Sequence, residues 1–394
     1  MIVLCAHTLF TPLEKILDPL VFVEDGRISE VSSRAAREIP DNATVIDFSP
    51  DDPDSILAPA FVDIHMHGGA GLDVMRASLD ELPRLNKFLV AHGVAGYFPT
   101  TVAAPLDQTC TALERLADAI ELSAKFNGER ENQAQARPLG IHLEGPFLSH
   151  KRRGVHPPEN LLEPTVEIFE HLWQAARGHV RMMTMAPELP GALEVIAEAA
   201  RRNVCVSIGH SDAAMEISRG AVKAGARHAT HTFNAMRPLD HREPGILGEA
   251  LTNERITADI IVDGIHVAPE IVKLFLQAKG VKGAVLITDA TAATGMPDGT
   301  YQLGPIQVEV KDGRCTLYGE PEKLAGSVLT MDRAVRNVTK FSDWSLQDAI
   351  RAATLNAAQA TGLTHHGRIA RGAEANFVVL SENGDVRRTI VRGC

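Results

Sequence analysis

A long apolar segment that ends in ionisable side chains runs Ile56-Leu57-Ala58-Pro59-Ala60-Phe61-Val62-Asp63-Ile64-His65-Met66-His67. Similar runs rich in Val, Ile, Ala and Thr recur through the middle of the chain, at residues 56–64, 94–101, 139–143, 180–186, 204–208, 228–232, 256–262 and 284–288. Helix-like amphipathic segments separate most of them, at residues 79–91, 106–125, 192–202, 213–224 and 269–279. Continuous apolar strands that alternate with helices predict a parallel sheet covered on both faces.

The number of these units favours a closed (β/α)8 barrel, the TIM-like α/β fold, over an open sheet. A doubly wound sheet is the alternative, but no Gly-x-Gly-x-x-Gly fingerprint follows the first strand. Two tail helices are predicted after the eighth strand, at residues 327–341 and 346–362, and the polar stretch 127–136 is predicted to be an exposed connection. We therefore expect a barrel domain over residues 58–362.

The two ends of the chain have a different pattern. Residues 21–31 are typical of a β-hairpin, because Asp25-Gly26 suits a tight turn between two alternating strands. Short strand patterns return at residues 376–380 and 388–391. Neither end could bury a hydrophobic face alone, so we expect residues 1–57 and 363–394 to form one small β-sandwich domain. A barrel needs roughly 250 residues, so a chain of 394 has room for both domains.

Charge, cysteine content and hydropathy exclude several classes of protein. The formal net charge of −11 disfavours non-specific binding to nucleic acid or to an anionic membrane. The five cysteines are scattered and form no Cys-x-x-Cys pair, which disfavours a disulfide framework and a cysteine-type zinc site. We find no signal-peptide pattern and no apolar run long enough to span a bilayer. A cytoplasmic protein without nucleic-acid or membrane partners is therefore predicted.

Ionisable side chains end most of the predicted strands. In a barrel, the carboxyl ends of the strands converge on one mouth, where active sites lie. Unpaired ionisable groups are unfavourable at the ends of buried strands, so their convergence predicts a divalent metal site. The alternative is that each histidine is an ordinary core or surface residue. The candidate ligands are His65, His67, Glu144, His210, His231 and Asp289.

Asp289 and three further residues each have a structural interpretation that competes with a functional one. Asp289 could bind a metal, act as a general base on a metal-activated water, or cap the following turn, and we favour the base. His156 and His266 lie in turn-rich loops and could be surface histidines. Arg242 follows a predicted strand, where it could be solvated or could clamp a phosphate, which guanidinium geometry suits.

Several motifs taken together resemble the N-acetylglucosamine-6-phosphate deacetylases of the amidohydrolase superfamily. The most specific are the runs His-Thr-Phe-Asn-Ala-Met from His231 and His-Arg-Glu-Pro-Gly from His241, and the resemblance covers nearly the whole chain. The full set is His142-Leu143-Glu144-Gly145-Pro146-Phe147, Gly209-His210-Ser211, His231-Thr232-Phe233-Asn234-Ala235-Met236, His241-Arg242-Glu243-Pro244-Gly245, Asp263-Gly264-Ile265-His266 and Thr288-Asp289-Ala290-Thr291.

The resemblance implies hydrolysis of the N-acetyl amide of N-acetylglucosamine 6-phosphate to glucosamine 6-phosphate and acetate. A metal-activated water would be the nucleophile, with Asp289 as general base and then general acid. Glu144, His210 and His231 match the main metal ligands of the family, and His156 matches a histidine near the substrate carbonyl. The substrate contacts that the resemblance implies are Val155, His156, Asn234, Ala235, Arg242, His266, Leu324, Ala325 and Gly326.

The resemblance also implies a homodimer and one or two divalent ions. Some family members lack the His-x-His pair and hold one metal, whereas His65 and His67 here leave room for a second ion with Glu144 bridging. Zinc is favoured for imidazole and carboxylate donors, with iron, manganese and cobalt as alternatives. No lysine ends a predicted strand, which argues against a hydantoinase or dihydroorotase. Two rivals stay open: an amidohydrolase of another N-acyl sugar or amino acid, and a non-catalytic barrel used as a binding module.

Overall fold

The computed structural model describes residues 1–50, 53–125 and 134–393 of the chain. Its largest part is a barrel of parallel strands surrounded by helices, which confirms the predicted (β/α)8 fold. We number the barrel strands first to eighth in chain order. They are Phe61–Met66, Val94–Pro99, Ile141–Glu144, Val180–Met185, Cys205–Ile208, His228–Ala229, Thr257–Ile261 and Ala284–Ile287.

The barrel wall consists of two parallel sheets joined at both edges. The first and second strands pair in one sheet, and the third to eighth strands pair in sequence order in the other. A parallel bridge between Thr100 and His142 joins the second strand to the third, and one between Met66 and Ala290 joins the first to the eighth. Because all eight strands run in the same direction, their carboxyl ends open on one mouth.

Helices cover the barrel because each presents an apolar face. In Leu106–Lys125, the buried side chains of Leu113, Leu116 and Ile120 follow one another at intervals of three and four residues, the period of one helix face. Burial of each such leucine contributes roughly 1.5–3 kcal/mol. The helices are Leu82–Ala91, Leu106–Lys125, Val166–Ala175, Ala192–Arg201, Met215–Ala224, Gly245–Thr252, Pro269–Gly283, Met331–Phe341, Leu346–Ala352 and Leu355–Ala360, with 3-10 turns at His150–Arg152 and Pro158–Asn160.

The two ends of the chain meet in a separate pair of sheets, as predicted. Ile56–Pro59 pairs antiparallel with Phe377–Leu380, so residues from both ends share one sheet. The predicted run 56–64 is therefore two strands, one in this sheet and one in the barrel. The boundaries at residues 57 and 363 stay a prediction. The first sheet contains Ile2–Cys5, Pro19–Glu24, Arg27–Ser33 and Thr44–Asp47; the second contains Thr8–Phe10, Lys15–Leu17, Ile56–Pro59, Phe377–Leu380 and Val386–Ile390.

A four-stranded sheet, which we call the inserted sheet, was not predicted from the sequence. It is antiparallel, lies between the eighth barrel strand and the tail helices, and buries Leu303, Val308 and Val310 in a small core that also contains Ala325. Exposed and buried side chains alternate in its strand Ile306–Lys311, unlike in the continuous apolar runs of the barrel. Its members are Gly299–Leu303, Ile306–Lys311, Arg314–Leu317 and Glu320–Leu324.

Other differences from the predicted elements are local. The predicted helix 346–362 is two helices, because Thr354 has non-helical dihedral angles (φ −133°, ψ −89°). The predicted helix 327–341 begins only at Met331. Helices Val166–Ala175 and Gly245–Thr252 were missed. Short strands not predicted are Gly68–Gly69, Leu72–Asp73 and Arg137–Pro138.

Three predictions concern the whole chain. Of the predicted exposed connection 127–136, residues 127–133 lie outside the described residues. Within the described ranges, no helix combines the length and apolar character needed to cross a membrane. The cysteines of the described part, Cys5, Cys110, Cys205 and Cys315, are free thiols.

Candidate metal-binding active site

The predicted strand-end residues meet at one mouth of the barrel, and all of them are buried. Glu144 lies at the centre of the group. Its Oε1 is 3.1 Å from His231 Nε2 and 3.3 Å from His210 Nε2. The same atom is 3.4 Å from His65 Nε2, and Glu144 Oε2 is 3.4 Å from His67 Nε2. A single carboxylate thus faces four imidazoles that come from three different strand ends.

These side chains form two groups of three ligands that share Glu144. One group adds His65 and His67, the other adds His210 and His231, and the ligand atoms within each group lie within 4.8 Å of one another. Tetrahedral ligands about 2.1 Å from an ion are roughly 3.4 Å apart, close to the distances observed. Both groups therefore have the spacing and the nitrogen and oxygen donors that a divalent metal needs.

The tautomer of His210 supports metal binding. Its Nδ1 lies 2.9 Å from the carbonyl oxygen of Arg152, which only accepts hydrogen bonds, so Nδ1 carries the proton. His210 Nε2 therefore has a lone pair, and it lies 3.0 Å from His231 Nε2 and 3.3 Å from Glu144 Oε1. Two imidazole nitrogens and a carboxylate oxygen at such distances require a cation or a proton between them.

His67 and Asp289 make the same arrangement on the other side. His67 Nδ1 lies 3.1 Å from the carbonyl oxygen of Thr100, so its Nε2 faces Asp289 Oδ1 at 3.0 Å. Burial lowers the pKa of His67, but the hydrogen bond and charge of Asp289 and the charge of Glu144 raise it to about 9. Burial raises the pKa of Asp289, but His67 and His65 bring it down to about 2. A bound ion would take the place of the proton on His67.

We call the six buried side chains the cluster: His65, His67, Glu144, His210, His231 and Asp289. The pKa values in the cluster are set by burial and by the charge of Glu144. Burial raises the pKa of Glu144, but the charge of His65 and hydrogen bonds from His156 and His231 hold it well below its usual range. Burial lowers the pKa of His210 to about 4 despite Glu144. Burial also lowers the pKa of His231, but the hydrogen bond and charge of Glu144 raise it to about 9. Metal binding to this site must release protons, so affinity falls as pH falls.

His156 faces the same cluster with a different tautomer. The backbone N–H of Ala103 donates to His156 Nδ1 at 3.1 Å, so Nδ1 is an acceptor and Nε2 carries the proton. His156 Nε2 lies 3.5 Å from Glu144 Oε2. A protonated nitrogen cannot bind a metal, but it can donate to an oxygen. The geometry therefore distinguishes His156, a hydrogen-bond donor, from the histidines that could bind a metal.

The predicted substrate contacts have three kinds of surroundings: the cluster, the small core of the inserted sheet, and loops with local contacts. Asn234 Nδ2 donates to the carbonyl of His231 at 3.2 Å, and the carbonyl of Ala235 accepts from Ser211 at 3.1 Å, so both lie beside the cluster. Gly326 approaches the eighth strand so closely that a Cβ would lie 3.0 Å from the Asp289 carbonyl.

Val155 packs in the same small core as buried Ala325, and half-buried Leu324 ends the last strand of the inserted sheet. The last two predicted substrate contacts, His266 and Arg242, have local contacts in the described structure. His266 Nδ1 pairs with Asp263 Oδ2 at 2.7 Å, and Arg242 is exposed in its own loop. The single chain does not bring the Arg242 side chain into contact with the cluster.

Buried polar residues below the cluster were missed by the sequence analysis. Asp259, in the seventh strand, accepts the backbone N–H of His231 and pairs with His228 Nε2 at 2.8 Å. Asp63, in the first strand, accepts from Thr288 Oγ1 at 2.6 Å. A lone aspartate inside an otherwise apolar strand is the signal that could have revealed Asp259.

Comparisons with known proteins point to one family. An amidohydrolase family model matches residues 56–394. N-acetylglucosamine-6-phosphate deacetylase of Bacillus subtilis (strain 168) is 37% identical over 97% of this chain and 94% of that protein. N-acetylgalactosamine-6-phosphate deacetylase of Escherichia coli O157:H7 is 36% identical over 86% of this chain and 87% of that protein.

Solved structures agree. A mutant N-acetyl-D-glucosamine-6-phosphate deacetylase of Mycobacterium smegmatis, in complex with N-acetyl-D-glucosamine-6-phosphate, matches with a TM-score of 0.89 and 34% identity, over 100% of this chain and 98% of that one. The Thermotoga maritima deacetylase matches with a TM-score of 0.85 and 32% identity, over 98% of this chain and 97% of that one. The chain therefore belongs to the amidohydrolase family, among the N-acetylglucosamine-6-phosphate deacetylases.

Proposed function

We propose that this chain hydrolyses the N-acetyl amide of N-acetylglucosamine 6-phosphate, releasing glucosamine 6-phosphate and acetate. The observation that carries the proposal is the buried meeting of Glu144 with four imidazoles and Asp289 at the mouth of a barrel. The fold and sequence around that site match enzymes of this activity along nearly the whole chain. A barrel used only for binding would not need a carboxylate poised beside the ligand histidines, which disfavours the non-catalytic rival.

Glu144, His210 and His231 would hold one divalent ion, and His65, His67 and Asp289 would contribute to a second that shares Glu144. Their donor set suits zinc, with iron, manganese and cobalt as alternatives. A divalent ion would polarise the amide carbonyl and lower the pKa of water toward about 7. The proposal for the first site is supported by the close approach of His210 Nε2 and His231 Nε2, which lie 3.0 Å apart.

Asp289 is the proposed proton carrier. Its low pKa keeps the carboxylate ionised near neutral pH, ready to accept a proton from the attacking water. After the tetrahedral intermediate forms, Asp289 would return the proton to the departing nitrogen, so the C–N bond breaks to give a neutral amine and acetic acid. The acetic acid then releases its proton to solvent and becomes acetate. His156 would donate its Nε2 proton in a hydrogen bond to the developing oxyanion, consistent with the tautomer that Ala103 imposes.

The sugar phosphate would lie against the loops around the cluster. We propose contacts from Val155, Asn234, Ala235, His266 and the segment 324–326, of which Asn234 and Gly326 are the best placed by their contacts with His231 and Asp289. Arg242 would bind the phosphate. Because its side chain is exposed, we propose that the active protein is a homodimer in which Arg242 reaches the site of the neighbouring subunit. We also retain the sequence-based prediction of a cytoplasmic location.

A second candidate substrate is N-acetylgalactosamine 6-phosphate, because a deacetylase of that name is 36% identical to this chain. The two sugars differ only in the orientation of one hydroxyl group, so both would present the same amide and phosphate. We favour the glucosamine substrate because the deacetylases named for it include the relative with 97% coverage of this chain.

The test is acetate release by the purified, metal-loaded protein from both phosphorylated sugars and from unphosphorylated N-acetylglucosamine, with metal content measured on the same sample. We expect the glucosamine phosphate to have the highest kcat/KM. Treatment with a chelator should abolish the activity, and added metal should restore it. Asp289→Asn should lower kcat by several orders of magnitude, whereas the exposed control Asp80→Asn should not. Acetate release that persists without metal, or near-normal turnover by Asp289→Asn, would contradict the proposal.

A further inference from the structure

The ligand histidines are held in place in two different ways. His67 and His210 each donate a ring N–H to a backbone carbonyl, that of Thr100 at 3.1 Å and that of Arg152 at 2.9 Å. Such hydrogen bonds fix the orientation of a metal-binding imidazole. The ring of His231 lacks this support, because its buried Nδ1 has no hydrogen-bond partner in the described structure. Something other than the ring must therefore fix the direction of His231 Nε2.

The backbone of His231 is held on both sides. Its N–H donates a short hydrogen bond to Asp259 Oδ1, and its carbonyl accepts from Asn234 Nδ2 at 3.2 Å. His231 also has φ of 30°, in the left-handed region that residues with side chains avoid. The hydrogen bond that the His231 N–H donates to Asp259 stabilises a backbone conformation that directs the imidazole at Glu144.

Asp259 is itself part of a buried pair. It belongs to the seventh barrel strand and is fully buried. Its Oδ2 lies 2.8 Å from His228 Nε2, and His228 Nδ1 lies 2.5 Å from Thr257 Oγ1. Burying such a pair is costly, and well-packed apolar residues would stabilise a strand at least as well. The pair therefore calls for a reason beyond packing, and the neighbouring ligand offers one.

We propose that Asp259, oriented by His228, is a positioning residue that holds His231 in the conformation that binds a divalent ion with Glu144 and His210. The inference rests on the metal site of the proposed function and adds two residues to it. Asp259 acts through the backbone of His231 and touches neither the ion nor the substrate. Loss of the pair should therefore weaken metal binding and leave the catalytic groups in place.

The measurement is the affinity of the full-length metal-free protein for Zn²⁺ alone, by competition with a chromophoric chelator. Asp259→Asn and Asp259→Ala should raise the Zn²⁺ dissociation constant by about 10- to 100-fold, with the larger loss in Asp259→Ala. His228→Gln should have a smaller effect, because Asp259 still accepts the His231 N–H. At saturating Zn²⁺, kcat should return toward the wild-type value, as expected of a positioning residue.

Another aspartate–histidine pair provides the matched control. Asp332 Oδ1 lies 3.1 Å from His92 Nδ1 at the start of a tail helix, and neither residue belongs to the cluster. Asp332→Asn should lower stability and keep wild-type Zn²⁺ affinity. If Asp259→Ala does not fold, Asp259→Asn and His228→Gln still decide the question.

Three results would overturn the inference. The first is wild-type Zn²⁺ affinity in both Asp259→Asn and His228→Gln. The second is an equal loss of affinity in Asp332→Asn, because the effect would then reflect general destabilisation. The third is a wild-type protein that binds no divalent metal, which would also remove the proposed function. The first two results leave the proposed function intact, so the two failures are distinguishable.

Discussion

Replacing His156 by alanine tests whether this residue is a hydrogen-bond donor or a metal ligand. The side chain lies 3.5 Å from Glu144, nearly as close to that carboxylate as His65 and His67, which lie 3.4 Å from it. Because Ala103 places the proton on His156 Nε2, we expect His156→Ala to retain the full metal content of the protein. Turnover should fall, because the developing oxyanion loses a donor. Proximity alone would have predicted the opposite, a loss of metal.

The magnitude follows from the number of hydrogen bonds removed. Loss of one oxyanion donor costs about 2.7–4 kcal/mol of transition-state stabilisation, which corresponds to about 100- to 1,000-fold in kcat. The variant also leaves the buried backbone N–H of Ala103 without its acceptor. An unsatisfied buried donor costs roughly 1–3 kcal/mol of stability. We therefore expect a folded, less stable, metal-replete and slow enzyme.

The assay combines acetate release at saturating N-acetylglucosamine 6-phosphate with metal analysis and urea unfolding of the same preparation. His150→Ala is the control, since His150 lies in the same loop but is exposed. It should match the wild-type protein in all three measurements. Loss of metal in His156→Ala would refute the assigned tautomer. A fall in kcat of less than about fivefold, against the roughly 100-fold expected for a lost donor, would refute the assigned role.

Three more substitutions test other parts of the molecule. Burial raises the pKa of Asp332, but His92, Thr330 and Arg336 hold it far below its usual range, so ionised Asp332 stabilises the fold at neutral pH. Asp332→Asn should lower the free energy of unfolding by about 1–3 kcal/mol in urea at pH 7. The difference between the wild-type protein and the variant should shrink as pH falls below about 4, where Asp332 begins to be protonated in the unfolded chain. A difference that does not change with pH would contradict the ion pair. Gly326 has φ of +59°, and Gly326→Ala would place a Cβ 2.6 Å from Thr291 Cγ2 and 3.0 Å from the Asp289 carbonyl. We expect kcat to fall while the metal content is retained. An unchanged kcat would show that the loop can move to accept the Cβ. Arg242→Ala should raise KM for the phosphorylated sugar, with no change in stability because the residue is exposed, and an unchanged KM would exclude the phosphate contact.

Much of the site could be predicted because its residues follow a positional rule. Glu144 ends the third strand, and His231 and Asp289 lie just beyond the ends of the sixth and eighth. Parallel strands bring such positions together whatever the intervening sequence. The motif from His231 to Met236 added the chemistry of the family. The burial of these residues and the short distances between them follow from the fold. The alternation of apolar runs and helices had already indicated that fold.

What could not be predicted depends on tertiary pairing. The run 56–64 is continuously apolar, so nothing local shows that its first part, Ile56–Pro59, pairs with Phe377–Leu380 from the other end of the chain. The inserted sheet has half-exposed strands and resembles surface loops, although Asp312-Gly313 is a turn signal between two of its strands. The tautomers of His156 and His210 depend on the backbone groups of Ala103 and Arg152, which are distant in sequence.

Backbone conformation at the strand ends links the fold to the chemistry. His210, His231 and Asp289 have φ of 46°, 30° and 50°, in the left-handed region that residues with side chains avoid. Each costs roughly 1–2 kcal/mol, at positions where glycine would remove the cost but also the ligand. Strain of this kind persists only when the surrounding structure overcomes it. Here the Asp289 N–H donates to the His65 carbonyl at 2.9 Å, and the His231 N–H to Asp259. Because these bonds join the eighth strand end to the first and the sixth to the seventh, closure of the barrel itself directs the ligands inward. A barrel with a loosened wall should therefore lose its metal before it unfolds.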